Sequence, residues 1–189
     1  MTSFLIYIIV TSITPGPSNL FILNSTKKYG FVGASKFILG ILFSFLILAI
    51  IAVIILFTFE TSINKIEVIL KYFGFVYLLY LAYKTYNSKK RNNSNDAYYT
   101  FSQGLIMQLL NVKSLLFFIT LLGAFILPVA NDYYMVFLYM LITVLVGWSA
   151  LLIWGVIGDV LKNFLDKHSF VFNLTMSLLL VYAALSIFM

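Results

Sequence analysis

The 189-residue chain has no cysteine, one histidine, three prolines and six acidic residues, and each shortage removes a class of function. Without cysteine there are no disulfides, no thiol redox chemistry and no cysteine-ligated metal. The lone histidine, His168, lies beside Asp166 and Lys167 with no second histidine to complete a metal site, so no metal or other cofactor is expected. The acids Glu60, Glu67, Asp132, Asp159 and Asp166 all fall at or near the ends of apolar runs. None sits at a membrane midplane, which argues against a dehydrated cation path lined by carboxylates; Asp159 is the nearest candidate for proton coupling. With no buried carboxylate pair and no serine–base arrangement, the chain does not read as an intramembrane enzyme.

Charge is scarce as well. Only 10% of residues are charged and 62% are apolar or aromatic, with a mean hydropathy of +1.05. A soluble domain has about 25% charged residues, so this chain cannot coat a water-facing surface, and the lipid bilayer must be its solvent. At about 20 apolar residues per membrane helix the composition suits about six spans and no soluble domain, nucleic-acid-binding domains included. The N-terminal apolar stretch lacks a basic leader and a small-residue cleavage site, and reads as a retained first span.

Apolar runs predict helices over 4–24, 37–58, 66–86, 101–127, 134–158 and 170–188. The fold expected is all-α: one transmembrane domain over 1–189, with halves of about 1–86 and 101–189 and a hydrophilic, flexible linker at 87–100. Lys27, Lys28 and Lys36 flank the first loop, Lys84, Lys89, Lys90 and Arg91 the third, and Lys162 and Lys167 the fifth, against only Lys65 and Lys71 near even loops. The net charge of +6 is therefore a topology signal: odd loops cytoplasmic, both termini extracytoplasmic. Tyr133, Tyr134 and Tyr139 then lie near the outer boundary, where aromatic rings anchor spans. Two three-helix halves joined on the inside point in opposite directions, which is the layout of an inverted repeat.

Two interruptions stand out at similar depth in the two halves. In Thr14-Pro15-Gly16-Pro17-Ser18-Asn19, Pro15 lacks a donor and Gly16 weakens the helix, so the first span should break there. Pro17 suits the first position of a restarted helix, whose free N–H groups near Ser18 and Asn19 favour an anion. In the fourth span Asn111, Val112 and Lys113 form the matching interruption, with Ser114 adjoining and Gln108 one turn earlier. Lys113 lies about 18 Å from either end of its span, beyond the reach of a lysine stem of about 6 Å. A mid-span charge costs about 2.5 to 3.5 kcal/mol and usually faces a bundle interior. Gly33, Gly40 and Ser44 are read as small residues for close helix packing, as are Gly155 and Gly158, while Tyr77 and Tyr80 face either a cavity or lipid.

These motifs have a family counterpart. Thr14-Pro15-Gly16-Pro17 with Asn19-Leu20, Gly30, Gly33, Gly40 and Ser44 resembles the first half of the LysE/RhtB family of small amino-acid exporters. Asn111-Val112-Lys113 followed by Leu116-Phe117-Phe118 resembles its Asn-Pro-Lys segment, and Gly74-Phe75-Val76-Tyr77-Leu78 its third-helix pattern, over essentially the whole chain. Val112 stands where the family has proline, so a milder second break is expected. The resemblance implies export of amino acids or related metabolites from the cell membrane, coupled to an ion gradient, the proton gradient being the expected one. Pro15, Gly16, Pro17, Ser18, Asn19, Asn111, Lys113 and Ser114 would line the binding site. A small-cation exporter of the same superfamily, and a channel or non-transporting membrane protein, stay open as alternatives, and so does the oligomeric state, a homodimer being one option.

Overall fold

The computed structural model describes residues 2–58, 63–87, 100–130 and 132–188, and among these every regular element is helical. The expected linker at 87–100, with Lys89, Lys90 and Arg91, lies almost wholly outside the described residues. The first span is a broken pair, α1 (Thr2–Ile13) and α2 (Pro17–Gly33), bent by 46°. The break has local causes. Pro15 and Pro17 offer no N–H, Gly16 is extended at φ −148° and ψ 177°, and Pro17 restarts the helix at its first position. Farther along α2, Gly30 takes φ +72°, a left-handed conformation that glycine adopts without steric cost, and the chain turns there toward the next helix.

Helix α3 (Ser35–Thr58) is apolar all round. Leu39, Phe43, Ile50, Ile54 and Phe57 are exposed along one stripe, while Phe37, Ile41, Ser44, Phe45, Leu48 and Ala52 are buried on the other. A stripe of large exposed hydrophobic side chains is a liability in water and a match for lipid. Helix α4 (Ile63–Tyr86) precedes the second broken pair, α5 (Phe101–Leu109) and α6 (Val112–Leu121), the latter extended by a π turn at Leu122–Ile126. Thr100 and Gln103 close a capping box at the start of α5. Helix α7 (Tyr133–Val160), N-capped by Asp132, the short α8 (Lys162–Lys167), α9 (Ser169–Leu185) and a 3₁₀ turn at Ser186–Phe188 complete the chain.

The second pair is bent by 56°, more than the 46° of the first, although Val112 stands where a proline was expected from the family pattern. Proline is dispensable because Asn111 does its work: the Asn111 side chain accepts the Ser114 N–H at 3.4 Å and starts α6 afresh. Val112 occupies the first helical turn, and Asn111 before it is extended at φ −80° and ψ 91°, a conformation that a following proline tolerates. Val112→Pro should therefore leave the fold intact and raise stability by up to about 1 kcal/mol through the unfolded chain. Thermal unfolding in detergent checks this, and a marked loss would refute it.

Helices α3 and α7 are each long and apolar enough to cross a membrane, and so is each bent pair taken as one unit. Helix α2 packs along α7, α3 along α5, and α4 along α9. The last pair buries Leu78, Leu81 and Ala82 against Met176, Leu180, Ala183 and Ala184, with the Ser177 hydroxyl donating to the Ala82 carbonyl at 2.9 Å. The larger core gathers both broken pairs, α3 and α7.

Two contacts rest on glycine because backbone meets backbone. A Cβ on Gly40 would overlap the Phe101 carbonyl, and one on Gly104 would overlap that of Phe37, so α3 and α5 touch reciprocally. Gly158 lies as closely on Leu23 of α2. The Ser44 hydroxyl spans the first contact, within donating distance of the Gly40 carbonyl at 2.9 Å and the Leu105 carbonyl at 3.0 Å. Gly33 does not belong with Gly40: it is exposed, and a Cβ there would meet only Tyr29 of its own element. Tyr133 and Tyr134 are exposed as boundary anchors would be, whereas Tyr139 is half-buried and packs edge-on against Phe4.

Candidate functional site

The two helix breaks face each other. Between them lies a small cavity, lined from the first break by Thr11, Ser12, Gly16, Ser18 and Asn19, and from the second by Gln108, Asn111, Lys113 and Ser114. Phe45, Phe117, Gly147 and Leu151 form its apolar wall. Pro15 and Pro17 shape the break without lining the cavity, and Gly40 and Ser44 lie in the α3–α5 contact away from it.

A hydrogen-bonded network ties the breaks together. The Ser18 hydroxyl donates to Gln108 Oε1, the Asn111 amide donates to Ser18 Oγ at 2.6 Å and to Gln108 Oε1 at 3.3 Å, and Gln108 Nε2 donates to Ser114 Oγ at 3.1 Å. Ser18, Gln108 and Asn111 are buried, so each must find partners within the protein, and they find them in one another. This fixes the start of α2 relative to the start of α6.

The carbonyl end of α1 is also fully partnered. A helix leaves its last four carbonyls without intrahelical donors. Here Val10 receives the Thr14 N–H and hydroxyl, Thr11 faces the Lys113 ammonium, Ser12 receives the Asn19 amide at 3.2 Å, and Ile13 receives the Trp154 indole N–H at 3.2 Å. Lys113 Nζ lies 2.9 Å from the Thr14 carbonyl, 3.4 Å from that of Pro15 and 3.5 Å from that of Thr11. Gly16 makes room for the lysine stem, since a Cβ there would lie 3.0 Å from Lys113 Cδ and Nζ. Lys113 carries the one charge among the lining residues.

One lining group has no partner: Ser12 Oγ is buried and makes no hydrogen bond, a feature shared among the described residues only by Ser25 Oγ. It sits at the cavity edge, where a ligand would satisfy it. Thr11 and Ser12 escaped the motif reading although they lie one turn before Pro15; their polarity in an apolar run was the available signal. Phe45 and Gly147 had no such signal, because they meet only in the folded chain, the ring filling the space a side chain on Gly147 would take.

Asp159 is not a lining residue; it lies beside Gly30 at the far end of α7. Tyr77 packs in the α4–α9 cluster and Tyr80 is exposed, so neither lines the cavity. His168 is exposed, its ring against Phe164, and no group of three potential metal ligands occurs among the described residues.

Residues 9–189 match the family model described as LysE type translocator. The chain belongs to the LysE family. It is thus a membrane translocator and not an enzyme. Among its relatives, the cysteine/O-acetylserine efflux protein of Escherichia coli (strain K12) is 26% identical over 189 residues, covering 100% of this chain and 97% of that protein. The proteins of the same name from Shigella sonnei (strain Ss046) and Shigella flexneri are similar to the same extent. No solved structure gives a significant match to this LysE-family chain.

Proposed function

We propose that this LysE-family chain is a secondary active exporter of small neutral amino acids or related metabolites, working by alternating access and coupled to the proton gradient. The observation that carries the proposal is the meeting of both helix breaks in one cavity that holds a single cationic side chain, Lys113. Discontinuous helices at the centre of a transporter commonly form its substrate site. The N-terminal end of α2, at Gly16, Ser18 and Asn19, together with Lys113, suits a carboxylate; Ser12 and Ser114 suit the other polar atoms of a small substrate. No lining residue is acidic, so a second positive charge on the substrate, as in lysine or arginine, would have no partner. The relatives are named for efflux of cysteine and O-acetylserine, both small and without a basic side chain.

The membrane reading has six spans, with α4 and α9 completing the set as a mutually packed pair. The two broken pairs are equivalent members of inverted halves. Odd loops are cytoplasmic and both termini extracytoplasmic by the distribution of basic residues, and the ion pair between Lys27 of α2 and Asp166 of α8, 2.6 Å apart, supports placing the first and fifth loops at the same end of the bundle. The Tyr72 ring lies tilted against that of Phe188 at 5.2 Å, which brings the first half of α4 beside the C-terminal turn.

Purified protein in liposomes, tested for counterflow of labelled amino acids with and without a proton gradient, decides the matter. Small neutral amino acids should exchange, lysine and arginine should be excluded at least about tenfold, and an imposed proton gradient should drive net flux. Gradient-independent electrical conductance would mark a channel instead, and absence of flux for every amino acid would overturn the proposal.

A further inference from the structure

The carbonyl end of a broken helix is, in ion-coupled transporters, a place where a free cation is coordinated. In this chain the place is taken. Three carbonyl oxygens, from Thr11, Thr14 and Pro15, converge on Lys113 Nζ at 3.5, 2.9 and 3.4 Å, and no carboxylate lines the cavity to balance the charge. The negative end of the α1 dipole supplies that balance. Asn19 holds the cage from its other side, with its amide donating to the Ser12 and Thr14 carbonyls at 3.2 and 3.1 Å. The cage is thus built from the last turn of α1, the break that follows it and Asn19 of α2, while the cation in it comes from α6.

We infer that this carbonyl cage is a monovalent-cation site whose occupant is covalently tethered: the Lys113 ammonium fills the position of a coupling ion, and the protein takes no free sodium there. Two consequences follow. Transport by the intact protein is independent of sodium, because the site is never vacant while Lys113 is folded into it. Removing the amine opens a site for a small soluble cation, and the fragment deleted by Lys113→Ala has the atoms of an n-propylammonium ion. Gly16 keeps the access clear, since its missing side chain is what lets the lysine stem pass.

The test is thermal unfolding of purified full-length wild type and Lys113→Ala in detergent, in chloride salts of n-propylammonium, sodium or N-methylglucamine. The variant should gain about 3 °C or more, saturably, in n-propylammonium relative to N-methylglucamine, and the wild type should gain nothing beyond that reference. A variant that unfolds at the same temperature in all three salts overturns the inference. A second arm needs no variant and so survives a failure of Lys113→Ala to fold: wild-type unfolding in sodium against N-methylglucamine, which should not differ. A saturable sodium-specific stabilisation of the wild type, or a tenfold loss of counterflow when sodium is removed, would equally overturn it. The sodium independence of turnover rests on the exporter reading. If no amino acid exchanges in any salt, that reading fails, while the unfolding temperatures still decide the cation site.

Discussion

Lys113→Ala should abolish amino-acid export. In liposomes with N-methylglucamine as the only added cation, counterflow is expected to fall by about 30-fold to more than 1,000-fold, because removing the cation that would pair with the bound substrate's carboxylate costs about 2 to 5 kcal/mol and every 1.4 kcal/mol is tenfold. The loss should reflect function and not folding. The Thr14 carbonyl keeps the Asn19 amide when the lysine is gone, and the Ser18–Gln108–Asn111–Ser114 network does not include Lys113. Abundance in the membrane and gel-filtration behaviour should therefore stay close to wild type. Lys113→Arg keeps the charge, but a planar guanidinium must fit against Gly16, where the lysine stem already lies 3.0 Å from the position of a Cβ, so only partial activity is expected. Export at the wild-type rate by a normally abundant Lys113→Ala protein would remove Lys113 from the site.

The second large effect concerns stability. Gly104→Val should lower the unfolding temperature in detergent by about 5 to 15 °C or prevent recovery of folded protein. Even a single added carbon at Gly104 overlaps the Phe37 carbonyl and lies 3.1 Å from the Ile41 nitrogen, and neither is the movable end of a flexible side chain. Overpacking of this kind costs about 1 to 3 kcal/mol, and parting the helices also sacrifices the Ser44 hydrogen bond to Leu105, about 1 kcal/mol more. With about 2 to 4 °C per kcal/mol for a chain of this size, the expected shift follows. Gly33→Ala is the control: Gly33 is exposed and outside any helix–helix contact, so its change should stay within about 1 kcal/mol. Equal losses at Gly33 and Gly104 would mean that backbone proximity does not set the stability.

The contrast between Gly33 and Gly40 illustrates why small residues are hard to read in a linear chain. Both are glycines near the start of the second span, and sequence grouped them. Gly40 matters because Gly104, more than 60 positions later, brings its own backbone to the same place; Gly33 has no such counterpart. The second helix break differs in kind. Its position was legible in Asn111-Val112-Lys113, while the cap that Asn111 provides for the restarted helix is a matter of side-chain geometry. Local hydrogen-bonding capacity can replace a local steric block.

Pro15, Gly16 and Pro17 needed no tertiary information, since a missing N–H and a fixed φ act within one turn. Composition likewise demanded a bilayer, because nothing in 62% apolar and 10% charged residues can satisfy water. Sequence by itself thus determined the all-helical class, the placement of the first break and the oddity of a lysine deep in a span. What it could not contain was the destination of that lysine. The carbonyls of Thr11, Thr14 and Pro15 are ordinary backbone groups, identical at every position along the chain, and only the crossing of α6 over the end of α1 singles them out. The tertiary structure decided the site because backbone polarity carries no sequence signal until a second helix is brought within hydrogen-bonding distance.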